Sequence, residues 1–223
     1  LERGDVDAMW RGIRQDARLF WIRRVLNGHD VLDPKRYTQI YEHECFNALA
    51  TGDTLLFSKW LTVVPRKLDH GHLVTRTISN ALTAFGHQDA TLLANSRQEL
   101  AKGCFSSEAG KYDKALLGIL SHARRDNAPQ VGMHLKNAVK GWGRAQPRWQ
   151  TTDPLAIAPL AALVIARTQL STPVELPKHD TFRDPPAWDT PYQPFIDFSE
   201  RLPTLARWCE TLEDIDPADW QAA

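Results

Sequence analysis

Hydrophobic side chains recur at steps of three and four residues along most of this chain, and that period predicts α-helices. The first such run ends at Gly28, a residue type that commonly follows a helix, and its apolar positions are Val6, Met9, Trp10, Ile13, Phe20, Trp21 and Val25. No alternating run of β-branched residues is long enough to predict a sheet. Residues 174–176 fit either one short strand or extended chain.

Polar residues that typically begin helices, and glycines or prolines that typically end them, divide the rest of the chain into further predicted helices. The predicted starts are residue types that cap helices: Asp33 before Pro34, Asp53, Asp89, Ser107, Asn127, and Asp153 before Pro154. The predicted ends are Gly52, Pro65, Gly86, Gly103 and the stretch Gly141-Trp142-Gly143. Two short helices are predicted over residues 195–201 and 203–213. Closely spaced starts and stops predict antiparallel hairpins, hence an all-α single domain over residues 1–223, an irregular helical-repeat-like array of about eight to ten helices.

The densest apolar run is residues 155–166, with the sequence LAIAPLAALVIA. Pro159 interrupts it, and it is shorter than the ~20 residues that a membrane-spanning helix needs. Residues 1–30 carry charges throughout, so no signal peptide is visible. The three cysteines, Cys45, Cys104 and Cys209, are far apart and form no CxxC motif, which indicates reduced thiols. We therefore expect a cytoplasmic protein without a membrane partner.

Two stretches resemble reactive motifs. His70-Gly71-His72 is a His-x-His pair, but it opens a predicted helix and has no further ligands in a metal-site spacing. His43, Glu44 and Cys45 are adjacent, and adjacent residues on a helix point in different directions. GxSxG, HExxH and a phosphate-binding glycine loop are all absent from the sequence. We predict a protein that is not an enzyme, with no catalytic residue, metal or cofactor.

Charge is balanced overall but not locally. The formal net charge is +0, which gives no general reason for nucleic-acid binding. A basic excess in the middle of the chain is interpreted as solvated helix surface, and it comprises Arg124, Arg125, Lys136, Lys140, Arg144 and Arg148. Residues 180–219, by contrast, hold ten acidic residues and three basic ones.

This acidic stretch, the predicted extension over residues 185–223, has two interpretations. It is either a solubilising tail whose aromatic rings fold back on the core, or an acidic surface with aromatic anchors for a basic protein partner. The second interpretation predicts a set of partner-binding residues: Asp184, Trp188, Asp189, Trp208, Glu210, Glu213, Asp214 and Trp220.

The order of elements between residues 116 and 180 resembles a known family. It begins with LLGIL at 116–120, continues through Arg125-Asp126-Asn127 and a helix with Val131, Leu135, Ala138 and Val139, and then reaches DPLAI at 153–157 with AALV at 161–164. It ends with TPVELP at 172–177. This order resembles the C-terminal half of the immunity protein 49 family. That family usually continues into a Tyr-Leu-Pro-like stretch, where this chain has His179-Asp180-Thr181-Phe182-Arg183.

The resemblance implies a bacterial immunity protein, whose partner is the toxin domain that it neutralises by stoichiometric occlusion. Such proteins belong to type VI or polymorphic toxin systems and require no catalytic residue. A helical-repeat scaffold or adaptor with a non-toxin partner is the alternative that shares the predicted fold.

Overall fold

The computed structural model describes residues 3–28, 44–71, 73–105, 110–149, 156–179, 182, 184, 186–187 and 189–221. Within these ranges the chain forms ten helices and no strand, so the all-α prediction is confirmed. In chain order they are α1 (Arg3–Leu26), α2 (Phe46–Ala50), α3 (Thr54–Val63), α4 (Leu73–His87), α5 (Ala90–Phe105), α6 (Lys111–Ala123), α7 (Ala128–Trp149), α8 (Ile157–Arg167), α9 (Pro203–Thr211) and α10 (Pro217–Gln221). Residues 174–176 are extended chain.

Several predicted helix boundaries are confirmed by the backbone geometry. The Asp53 carboxylate accepts a hydrogen bond from the Leu56 backbone N–H at 3.1 Å and so caps α3. Gly28 and Gly52 follow α1 and α2 with φ of 70° and 68°, a conformation that glycine adopts without strain. The predicted starts at Asp33, Ser107 and Asp153 lie outside the described residues.

One predicted glycine stop, Gly141, is wrong, whereas Gly86 and Gly103 lie one and two residues before the observed ends of their helices. A Cβ on Gly86 would lie 2.3 Å from Leu61 Cδ1, so this glycine lets α3 and α4 approach closely. A Cβ on Gly141 would lie 3.1 Å from the Tyr112 ring of α6, and α7 continues past it to Trp149. Gly103 lies within α5, which continues to Phe105. A helix crossing, rather than a helix end, explains Gly141.

The core forms where α8 packs against α2, α6 and α7. Every residue from Ile157 to Ala166 is buried, which explains the unbroken apolar sequence of this helix. Consecutive helices α4 to α7 pack against their neighbours in the chain, as expected of helix hairpins. Near the C-terminus, α9 packs on α1, so residues close to the two termini are in contact.

The C-terminal stretch differs from the prediction in two ways. Residues 195–201 form bends and turns instead of a helix, and the Ile196 carbonyl, which would accept from the backbone N–H of residue 200 in a helix, accepts from the Gln15 side-chain amide instead. The helix predicted over residues 203–213 is present as α9, and α10 follows it without having been predicted. None of the helices in the described ranges is long and apolar enough to cross a membrane.

Candidate functional site

A buried carboxylate, Asp53, binds two arginines of α1. It has no solvent exposure, and its Oδ2 accepts from Arg14 Nε at 3.0 Å and from Arg18 Nε at 2.6 Å. Arg18 Nη2 also donates to Asp53 Oδ1 at 2.9 Å, which makes this contact bidentate. The two arginines are four residues apart on α1 and therefore share one helix face. We call Asp53, Arg14 and Arg18 the ion-pair hub.

The same arginines reach the C-terminal segment, which we define as residues 184–219. Arg14 Nη1 donates to the carbonyls of Thr190 and Pro191 at 2.6 and 3.0 Å. Arg18 Nη1 donates to the carbonyls of Cys209 and Glu210, both at 2.6 Å. The hub therefore ties α1, the start of α3 and the C-terminal segment together.

The electrostatics of the hub favour the charged pair. Burial alone would raise the pKa of Asp53, but the hydrogen bonds and charges of Arg18 and Arg14 outweigh it and lower that pKa below its ordinary value. The Tyr192 ring covers the Arg18 guanidinium with 4.3 Å between the carbon of the guanidinium and the ring centroid. Burial raises the pKa of the nearby Cys209 thiol to about 11, so Cys209 stays a neutral thiol at physiological pH.

Gln15 fastens a second part of the C-terminal segment. Its Oε1 accepts from the backbone N–H groups of Phe195 and Ile196 at 3.1 and 2.7 Å, and its Nε2 donates to the Ile196 carbonyl at 2.8 Å. Thr54, in the first turn of α3, donates a hydroxyl hydrogen bond to the Asp189 carboxylate. These contacts hold the backbone of the segment in one arrangement on the helices.

Gly52 marks a close approach between the helices and this segment. A Cβ at this position would lie 2.4 Å from the Ala187 carbonyl oxygen, whereas a Cβ on Gly28 would meet nothing within 4 Å. Both glycines have positive φ.

We expect Gly28→Ala to lower the free energy of unfolding by about 1 kcal/mol from backbone strain alone. Gly52→Ala should lower it by about 2–3 kcal/mol, measured by urea denaturation, because the carbonyl must also move. Equal losses in the two variants would show that the Ala187 contact has no energetic weight.

The acidic side chains of the C-terminal segment face solvent. All nine acidic residues between positions 184 and 219 are exposed, among them Asp184, Asp189, Glu210, Glu213 and Asp214. Asp184 pairs with Arg167 at 2.8 Å, and Asp219 pairs with Arg207 at 3.6 Å. The same segment holds only two basic residues, Arg201 and Arg207, so its surface keeps an excess of negative charge.

The predicted site residues do not all meet at one place. Glu213 and Asp214 line a groove with Trp21, Val25 and Lys59 of α1 and α3. Glu210 lines a different, smaller groove beside Asp197. The predicted acidic surface is therefore divided between two grooves that share no described residue.

The predicted tryptophan anchors need correction. Trp208 has no exposed surface, and its indole Nε1 donates to the Asp214 carbonyl at 3.0 Å, so the ring belongs to the core and is withdrawn as an anchor. Trp188 lies outside the described residues, and for Trp220 only the backbone, in α10, is described. Among the described residues of this segment, the exposed large apolar side chains are Phe195 and Ile196, each 52% exposed.

The described residues of the two motif-like stretches show no convergent chemistry. His70 is exposed, and His72 and His43 lie outside the described residues. Burial raises the pKa of the Cys45 thiol well above its ordinary value, with a smaller contribution from Glu44. Among the residues that the structure describes, no three histidine, cysteine or acidic side chains are placed to hold a metal ion together.

Comparisons with protein-family models, with curated proteins and with solved structures found no match to this chain. They therefore neither support nor oppose the resemblance to immunity protein 49.

Proposed function

We propose that this chain is an immunity protein that binds a basic toxin domain and neutralises it by occlusion. One observation carries the proposal: exposed acidic side chains lie on a segment that a buried ion-pair hub fastens to the helical body. The segment is thus a preformed part of the molecule, and its negative charge is available to a partner.

The charge of the segment suits a partner with a basic cleft. Proteins that act on nucleic acids or nucleotides carry such clefts, because their substrates are anionic. A complementary acidic surface raises the rate of encounter and disfavours partners of the wrong charge. Stable inhibition requires a buried interface on the order of 1,600 Å², larger than either groove alone, so the acidic segment would form one part of the contact.

The fastening of the segment supports tight binding. A disordered acidic tail loses conformational entropy when it binds, and that loss weakens the complex. Here Arg14, Arg18 and Gln15 hold five backbone carbonyls and two backbone N–H groups of the segment before any partner arrives. Preorganisation of this kind reduces the entropy lost on association.

The resemblance of residues 116–180 to immunity protein 49 supports the same proposal, since immunity proteins act as stoichiometric inhibitors.

The test of the proposed function is co-expression of this chain with the product of the gene next to its own. Restored growth of cells that otherwise die from that product supports the proposal, together with a 1:1 complex of the purified proteins. Absence of protection against every neighbouring product would overturn it, and a stable complex with a housekeeping protein would favour the scaffold alternative.

Charge removal tests the contribution of the acidic surface. We expect Glu210→Ala, Glu213→Ala and Asp214→Ala together to slow association with the toxin by about tenfold at low salt and to flatten its salt dependence. The contribution of Glu213 and Asp214 to the dissociation rate should be much smaller, because rim charges act mainly on encounter. Stopped-flow mixing over a series of salt concentrations measures both effects.

The matched control removes the same charge elsewhere. Asp7, Asp69 and Glu175 are exposed and lie outside the C-terminal segment. Their joint replacement with Ala should leave association within about twofold of the unmodified rate. Equal slowing by both triple variants would show that only net charge matters and that this surface has no special role.

A further inference from the structure

Phe195 and Ile196 form an exposed apolar pair beside a narrow groove. Each is 52% exposed, and the groove next to them has a volume of about 230 Å³. Tyr192, Phe198, Asp197 and Glu210 are among the residues that line it. This volume is below the range of about 300–1,000 Å³ typical of small-molecule sites, so it fits one long side chain better than a free ligand.

Contacts with α1 hold Phe195 and Ile196 in place. Gln15 is 3% exposed, and its side chain forms three hydrogen bonds with the backbone of Phe195 and Ile196. The Phe195 ring lies over Gly12 of α1, where a Cβ would be 3.8 Å from the ring. The two side chains are therefore fixed at the surface, where apolar groups commonly mark a contact with another protein.

The groove itself is acidic. Asp197 accepts a hydrogen bond from the Ser199 backbone N–H at 2.8 Å, and this bond is the main reason that the pKa of Asp197 is below its ordinary value. Glu210 contributes a second exposed carboxylate. None of the described residues that line the groove is basic, and the nearby Arg18 guanidinium already binds Asp53 and two carbonyls.

We propose that this groove binds an arginine side chain of the basic partner, with Phe195 and Ile196 packing on the apolar surface around that arginine. The proposal rests on the proposed function, since it names the partner chemistry that the same acidic segment recognises. Two carboxylates satisfy a guanidinium, and Phe198 supplies an aromatic side chain for stacking, whereas the Tyr192 ring already covers Arg18. A lysine ammonium gains less from such stacking and from bidentate contacts.

The experiment uses the full chain and needs no toxin. Labelled protein is titrated with N-acetyl-L-arginine amide, and amide chemical shifts are followed by NMR. We expect saturable shifts near Gln15, Ser199 and Glu210, with a dissociation constant on the order of 1–10 mM, as for a single-side-chain probe. N-acetyl-L-citrulline amide has the same shape without the charge and should produce no saturable shifts. Equal binding of the citrulline probe, or shifts spread over all acidic surfaces, would overturn the proposal.

Variants place the binding in this groove. Asp197→Asn with Glu210→Gln keeps side-chain size and should weaken binding of the arginine probe at least tenfold. Glu213→Gln with Asp214→Asn removes the same charge from the neighbouring groove and should change the constant less than twofold. The spectrum of each variant reports its folding, so a loss of structure is not mistaken for a loss of binding. Equal weakening by the two variants contradicts the assignment.

The apolar pair is tested on the complex. Phe195→Ser with Ile196→Ser should raise the dissociation rate of the toxin complex at least tenfold, whereas Met133→Ser, at a residue 46% exposed on α7, should leave it unchanged. If the cells stay protected and neither the probe nor the complex responds to these variants, the groove proposal fails while the proposed function stands. If no neighbouring toxin is neutralised but the arginine probe binds as expected, the function fails while the groove is retained.

Discussion

Asp53→Asn should destabilise the protein by about 3–5 kcal/mol in the free energy of unfolding. The substitution keeps the shape of the side chain and its ability to cap α3, but it removes the negative charge between Arg14 and Arg18. Two guanidinium groups, 7% and 2% exposed as residues, are then left without a counter-charge. Removing one partner of a buried ion pair has a large effect for this reason. Urea denaturation at pH 7 measures the loss.

Asp89→Asn is the matched control. Asp89 also opens a helix, accepting from the backbone N–H groups of Thr91 and Leu92 at 2.8 and 3.0 Å, but it is partly exposed and no ion pair with it is present among the described contacts. Asparagine caps a helix about as well as aspartate, so this variant should lose less than about 0.5 kcal/mol. Similar losses in the two variants would mean that the hub contributes only a helix cap.

Asp53→Asn should also loosen the C-terminal segment before it unfolds the whole protein. Hydrogen exchange should accelerate first in the backbone amides of the C-terminal segment, because the arginines that hold its carbonyls lose their fixed orientation. Helices α6 and α7 pack on each other. Their amides should exchange as slowly as in the unmodified protein under conditions in which the protein as a whole stays folded. Uniform acceleration across the chain would show that the segment does not open separately.

Acid should weaken the same hub. The pKa of Asp53 in the folded protein lies below its ordinary value of 3.8. A carboxyl group of this kind stabilises the fold fully above its unfolded pKa, and that contribution is lost as the pH falls through the folded pKa. The stabilisation is therefore complete at neutral pH and disappears only in strong acid.

Local sequence patterns predicted the helices well because helix formation depends on near neighbours. The period of apolar residues located α1 and α4 to α8, and capping chemistry located Asp53, Gly28 and Gly52. Gly141 was misplaced because a close helix crossing and a helix end both favour glycine. Choosing between them requires knowing which helix lies opposite, and the local sequence does not contain that information.

The sequence predicts only the charge of the proposed binding surface. Acidic residues stay exposed in almost any fold, so the location of the negative segment followed directly from the sequence. The contacts of Arg18 with Asp53 and Cys209 join residues 35 or more positions apart in the sequence, so no local pattern predicts them. One signal was present: Arg14 and Arg18 fall in phase with Trp10 and Trp21 on the apolar face of α1. An arginine at such a position requires a buried partner.

Trp208 illustrates why large aromatic residues are poor predictors of interfaces. Its ring has the size and composition of an interface anchor, but the same properties favour burial in the core of the chain itself. The structure places it in the core, while Phe195 and Ile196, which sequence reasoning assigned to a helix, take the exposed positions. The Gln15 side chain favours this outcome, because its amide donates to the Ile196 carbonyl, which would accept from the backbone N–H of residue 200 in a helix.

The second large expected effect concerns Glu44, immediately before α2. Burial raises the pKa of this carboxyl group from 4.5 to about 8, with a further increase from Asp16 and a smaller opposing effect of Arg24. The folded state therefore holds a proton on Glu44 that the unfolded state releases above pH 4.5. The free energy of unfolding should fall as the pH rises from about 4.5 to about 8, and the stabilisation is fully present only below that window.

Glu44→Gln should remove this dependence, because glutamine resembles the protonated carboxyl group at every pH. We expect the variant to equal the unmodified protein at pH 4 and to exceed it at pH 9 by about 3–4 kcal/mol, a figure reduced for the partial exposure of the side chain. Urea denaturation at unit steps of pH gives the difference curve. Asp16→Asn should shift the midpoint of that curve to lower pH, because it removes the negative charge that raises the pKa of Glu44. Parallel stability curves for Glu44→Gln and the unmodified protein would show that Glu44 is ionised in the folded state and that its burial is relieved by solvent.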